Sequence, residues 1–176
     1  MKFFQIVALF GLVAAVAAGC STVTFEEPMP LGRRDLPKFP KHWQGDWMDD
    51  AGDHYQIRAH HFMSSDSSEI YILGESNRLR RYRDCLVFNT LNDNGGWDVI
   101  LARRRGGVIQ LYHFDATDEN KVALWRAELG PEAIKATEGA AKKQSYHLDP
   151  ENNAAWRHLV RNNALSPLGT LVKQEP

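Results

Sequence analysis

Two arginine clusters and seven histidines are the side chains best placed to do chemistry in this chain. Arg78, Arg80, Arg81 and Arg83 form one cluster, and Arg103, Arg104 and Arg105 the other. A guanidinium offers a planar fork of donors that binds a phosphate or carboxylate through two bonds. Such clusters suit anionic lipid or an acidic partner; the plainer expectation is solvated charge that protects strand edges. His60 and His61 are adjacent, so on a strand they point to opposite faces and do not easily chelate one ion. His61 shares a face with Ile57, and His113 with Ile109 and Leu111. Two such histidines could meet inside a barrel beside a carboxylate, but hydrogen-bonded interior or rim histidines are the simpler expectation, and no metal is expected. The acidic turns, Asp49-Asp50 with Asp53 and Asp115 with Asp118-Glu119, lack the EF-hand spacing and read as turn residues. Cys85 sits in the apolar run 84–88 and reads as a small buried hydrophobe. As a nucleophile it would need a depressed pKa and a nearby histidine such as His54, His61 or His113. No Gly-x-Ser-x-Gly elbow, His-Glu-x-x-His, phosphate loop or dinucleotide fingerprint occurs, so neither an enzyme nor a cofactor is expected.

The elements that must carry these side chains read as short strands, over 42–47, 55–62, 69–73, 83–90, 97–103, 108–114, 121–128, 143–148 and 169–173. Residues 55–62 alternate with a period of two, the mark of a half-buried strand. Asn92-Asp93-Asn94-Gly95-Gly96 and Arg104-Arg105-Gly106-Gly107 are turn sequences, and the second joins the clearest hairpin. Residues 131–137 suggest one short helix. Asp149-Pro150-Glu151 starts a helix over about 150–163, with an acid at the cap and proline in the first turn. Trp156, Leu159 and Val160 then form its apolar stripe. The fold class is mainly β: a small antiparallel β-barrel or sandwich of about eight strands, with one helix in the C-terminal region.

Upstream of the strands, Lys2 precedes an apolar run over 3–18, and Val16-Ala17-Ala18-Gly19-Cys20 closes it. This stretch resembles a bacterial lipoprotein signal, whose lipobox ends in Gly-Cys. The resemblance implies that 1–19 is a signal peptide, cut before Cys20, and that Cys20 carries diacylglycerol on its thiol. Ala17 stands where leucine is commonest in that class. Ser21 follows the cysteine where an aspartate would favour inner-membrane retention. A Gram-negative host would therefore pass the protein to its outer membrane, facing the periplasm. The competing readings are a secretory signal cut after Ala17 and a retained anchor. The 16-residue run with Gln5 falls short of the roughly 20 residues that span a bilayer.

With Cys20 lipidated, Cys85 has no intramolecular partner, and no disulfide framework forms. Residues 20–37 read as a lipidated tether, because Pro28, Pro30 and Pro37 leave no periodicity. At about 3.3 Å per residue, the stretch 21–40 would hold the body up to roughly 60 Å from the lipid. Phe25, Leu36 and Phe39 are its residues able to dock. Residues 38–176 read as a single β-rich domain. The formal charge of −1 becomes −2 when Lys2 leaves with the signal, a balance unlike that of a nucleic-acid binder.

Gly45-Asp46-Trp47 resembles the Gly-x-Trp motif of lipocalins, eight-stranded barrels with a helix on the wall that carry small hydrophobic ligands. Some bacterial lipocalins are outer-membrane lipoproteins. The Thr-Asp-Tyr-type turn of that family is missing, since Glu119 follows Thr117-Asp118. Three functions are therefore expected, in order. The first is a non-enzymatic, lipid-anchored envelope protein whose barrel binds envelope proteins or anionic lipid. The second is a lipocalin-like carrier with an open apolar cavity. The third is an enzyme built on Cys85 or a histidine site.

Overall fold

The computed structural model describes residues 22–66, 70–138 and 144–175. Twelve strands lie among them: β1 Val23–Phe25, β2 Gly45–Asp49, β3 His54–Ile57, β4 His61–Ser64, β5 Ile70–Ile72, β6 Asn77–Tyr82, β7 Cys85–Leu91, β8 Trp97–Arg105, β9 Val108–His113, β10 Ile134–Glu138, β11 Gln144–Leu148 and β12 Ser166–Lys173. Two α-helices accompany them, α1 Glu119–Leu129 and α2 Asn153–Arg161. The fold is mainly β, with a helix near the C-terminus, as its alternating patterns require.

All twelve strands belong to one open sheet. Its long path runs β10-β11-β1-β8-β9-β12-β2-β3-β4-β5, and β7 and β6 continue from the other side of β8. Phe62 on β4 and Phe88 on β7 are six ladder steps apart, about 29 Å in a flat sheet at ~4.8 Å per step. Their rings lie 6.2 Å apart. The sheet is therefore rolled into a barrel-like body around Trp47, Tyr55, Ile57, Leu79, Phe88 and Ile109. The rolled part ends at β5 on one side and β6 on the other, and these two form no ladder with each other. The gap is bridged by the proline-rich segment: Leu36 N–H donates to Leu79 O at 2.7 Å, and Phe39 N–H to Ala59 O at 2.8 Å.

The second core lies outside the roll. Val87, Val99 and Leu101 face the helices across Phe25, Phe114, Trp125 and Trp156. The Phe25 and Phe114 rings meet edge to face at 4.9 Å, and Trp125 lies 5.7 Å from Phe114. Strands β7 and β8 are thus buried on both faces, which explains their nearly continuous apolar sequences.

Four expectations need correction. First, the tether is not free from Thr22 onwards. Phe25 and Met29 are fully buried, and β1 pairs in parallel with β11. The docking of Phe25 and Phe39 accounts for this, together with Arg80 and Asn89, whose bonds to the segment are described below. Second, residues 121–128 are helical. Asp118 caps α1 by accepting from the N–H groups of Asn120 and Lys121, and Gly130 ends it at φ 81°. Val122 and Leu124 imitate alternation, but Val122 and Trp125, three residues apart, are the pair buried on one helix face. Third, 55–62 is two strands, β3 and β4, joined by a turn in which Arg58 N–H donates to His61 O. Fourth, 131–137 is a single 3-10 turn, Pro131–Ala133, followed by β10. Helix α2 begins at Asn153, capped by Asn152 rather than Asp149.

Candidate functional site

The hairpin β6–β7 turns at Arg83-Asp84, and β8–β9 turns at Gly106-Gly107. Register fixes how these turns stand to each other. Tyr82 pairs with Cys85, Cys85 with Arg103, and Arg105 with Val108. Both turns therefore lie at the same end of the sheet, and the two arginine clusters, twenty residues apart in sequence, meet there in part. Arg81, Arg83 and Arg105 are exposed at this end. Arg83 holds a left-handed φ of 54°, which places it at the tip of its turn. Lys173 joins them from β12, with its N–H bonded to Gly107 O at 2.8 Å. Asp84 is the acid within the group, and Arg103 Nε stands 3.7 Å from its carboxylate. Exposed, closely spaced cations of this kind attract phosphate-bearing surfaces.

The other expected arginines are committed to the fold. Arg80 is only 7% exposed. Its Nε donates to Asp35 Oδ1 at 2.7 Å, and its Nη1 donates to Pro30 O at 2.8 Å and to Pro28 O. Arg78 points away from the basic end and lies over the Trp97 ring at 5.0 Å. Arg104, on the inward face opposite Ile109, lies over the Trp47 ring at 5.9 Å. Arg103 is half-buried beside Cys85. A row of arginines thus splits by strand parity into inner and outer positions, and the turns add the tip positions, which depend on where each strand ends.

The histidines do not meet. His113 lies opposite Ile100, on the inward face, and burial holds its pKa below the ordinary value. His61 lies opposite Ile72 on the outward face, because its neighbour Phe62 points in. Among the described residues, no group of three or more His, Cys, Asp or Glu is placed to hold a metal ion.

Cys85 is 2% exposed. Burial pushes its thiol up, against a hydrogen bond with Arg103 that pulls it down. Its Sγ lies 3.6 Å from Asp84 Oδ1. A protonated, enclosed thiol is a poor nucleophile.

Gly45 and Trp47 open β2. Gly45 has φ 141°, and Trp47 is fully buried, donating from Nε1 to Trp43 O at 3.1 Å. The pair anchors the base of the inner core. Sequence reading missed Asn89, the polar residue at the centre of the outer wall. Its Oδ1 accepts from Met29 N–H at 2.6 Å, and its Nδ2 donates to Met29 O, Arg78 O and Val87 O. An asparagine inside the apolar run 85–91 was the available signal.

No family profile matches the chain, and no curated protein or solved structure shows significant similarity to it. Cys20 and the lipobox lie outside the described residues. Among the described residues, no helix is long and apolar enough to cross a membrane.

Proposed function

We propose that this chain is a lipid-anchored envelope protein whose β-body acts as a non-enzymatic binding module at the membrane surface. The observation that carries the reading is Ala18-Gly19-Cys20 after a short apolar run headed by Lys2. Two acyl chains on one cysteine hold a protein at a bilayer durably, at about 0.8 kcal/mol per buried methylene. In a Gram-negative host the body faces the periplasm from the outer membrane. The exposed cations at one end of the body give it an anion-recognising surface. The large side chains gathered within the roll favour a surface role over carriage of a small apolar ligand. The buried thiol of Cys85 speaks against nucleophilic catalysis there.

Intact mass and N-terminal peptide mass of the membrane-extracted protein test the reading. Diacylglyceryl-Cys20 at the new N-terminus is expected, with precursor accumulating under globomycin. The Cys20→Ala chain should carry no lipid. A mature N-terminus at Ala18, without acyl groups, would overturn the proposal in favour of simple secretion.

A further inference from the structure

Three arginines of the basic end gather on one face of the sheet, and we infer that Arg83, Arg103 and Arg105 form a subsite for a phosphomonoester group. This subsite rests on the anion-recognising surface proposed above and is independent of lipidation at Cys20.

Register brings the three together. Tyr82 pairs with Cys85 and Cys85 with Arg103, so the turn Arg83-Asp84 projects past that row on the side where Arg105 lies. Arg103 and Arg105 are two residues apart on β8, about 7 Å, and share a face. The β6–β7 turn stands one to two ladder steps from them, about 5–10 Å. Arg83 and Arg105 are exposed, and Arg103 is half-buried.

Face separates this triad from the other cations. Tyr82, Val99 and Leu101 belong to the helix-covered outer core, and Arg103 and Arg105 continue the parity of Val99 and Leu101. Arg83 Cζ lies 5.6 Å from the Tyr82 ring, a cation–π contact that holds its guanidinium against the same face. Arg81, in contrast, lies opposite Leu86, a residue of the inner core. Lys173 lies opposite Trp47, also inner, with its Cε 3.1 Å from where a Cβ on Gly45 would stand.

Chemistry selects the ligand. Three guanidinium forks offer more donors than the two oxygens of one carboxylate can take up. A phosphomonoester ends in three terminal oxygens and carries close to two negative charges at neutral pH. One acid stands in the group: the Asp84 carboxylate is 3.7 Å from Arg103 Nε, which has no hydrogen-bond partner. Asp84 cancels one of the three positive charges, and the two that remain match a dianion. The exposed acids Asp50, Asp53 and Asp93 lie in the β2–β3 and β7–β8 turns, which open at the other end. Charge over the body therefore steers an anion towards the arginines.

The test is calorimetric titration of the full lipidated chain in neutral detergent at pH 8. The probes are glycerol 3-phosphate, dibutyryl phosphatidic acid, and malonate as a dicarboxylate of equal charge. Both phosphates should bind with a Kd of about 1 mM or below, and malonate at least about fivefold more weakly. Arg83→Asn keeps a side chain suited to the φ of 54°. It and Arg105→Gln should each weaken phosphate binding about fivefold, the effect of one unit charge at about 4 Å in water. Asp84→Asn should tighten it by a similar factor. Arg81→Gln, on the inner face, should change it less than about twofold once salt of about 0.1 M screens charges beyond ~10 Å. Equal affinity for the two phosphates supports the subsite with a free ester as its ligand, and tighter binding of the phosphatidic acid supports it with a lipid headgroup. Malonate binding as well as phosphate, or Arg81→Gln costing as much as Arg105→Gln, overturns the triad and leaves a diffuse anion-attracting surface. Failure of the folded protein to bind any of the three anions overturns that surface as well. Lipid on Cys20 is read separately by mass and bears on neither result.

Discussion

Replacing Arg80 by alanine should release the proline-rich segment from the body. Arg80 satisfies the carbonyls of Pro28 and Pro30 and binds the Asp35 carboxylate, all from a side chain that is nearly buried. Removing it leaves two backbone acceptors without their donor, at about 1–3 kcal/mol each. Asp35 is 43% exposed and can be rehydrated, so its share is small. The sum, about 2–6 kcal/mol, is a large part of the 5–15 kcal/mol that holds a typical domain together. The loss should be concentrated where the bonds were. Hydrogen exchange read by mass spectrometry should show peptides covering 26–40 losing protection by two to three orders of magnitude, while β8 and β9 lose less. Arg80→Lys should recover only part of the protection, because an ammonium cannot span both carbonyls and the carboxylate with a fixed fork. If 26–40 exchanged at the wild-type rate in Arg80→Ala, the segment would be held by the Asn89 bonds to Met29, the backbone bonds of Leu36 and Phe39 and the burial of Met29 and Phe39, and the reasoning from Arg80 would be wrong.

Asp98 gives a pH prediction. Burial pushes its carboxyl up to about 6 from the ordinary 3.8, despite the Asn92 amide that donates to it. Between those values the native state keeps a proton that the unfolded chain has lost, so this group's contribution falls as pH rises from about 4 to 6. Asp98→Asn should therefore be more stable than the parent at pH 7.5, by up to about 3 kcal/mol, and similar to it at pH 3.5, in urea titrations at both pH values. Cys85 should resist iodoacetamide in the native protein at pH 8 and react promptly in denaturant; rapid native labelling would contradict its burial. The two helix-packed tryptophans should differ: Trp125→Phe breaks the 2.7 Å bond to Ala164 O, whereas the buried Trp156 indole N–H has no acceptor. Thermal melts should show Trp125→Phe to be the more damaging by about 1 kcal/mol. Gly45→Ala should destabilise by about 1–3 kcal/mol through its φ of 141°, with Lys173 shifting to admit the methyl group.

Local chemistry along the chain was enough to predict a β-rich body, most of its strands and the late helix. Alternation, turn residues and caps act over a few residues and leave their mark directly in sequence. Strand β6 escaped because its arginines mask an apolar pattern that rests on Leu79 and Tyr82 alone. Helix α1 escaped because its apolar residues fit two periods at once, and only docking against Phe114 and Tyr146 selects the helix. The membership of the basic end was half legible. The arginines were visible, but parity, pairing and burial divided them, and Lys173 came in from seventy residues away.

The short apolar run ending in Gly19-Cys20, the cysteine count and the charge balance are properties of the chain alone, legible without any fold. Whether residues 22–40 hang loose or close the gap between β5 and β6 depends on Asn89 and Arg80, which meet them from far along the chain. Whether the two arginine clusters share one end of the body depends on the pairing of Cys85 with Arg103. Both are matters of long-range hydrogen bonding and strand direction, and these exist only once the sheet has formed.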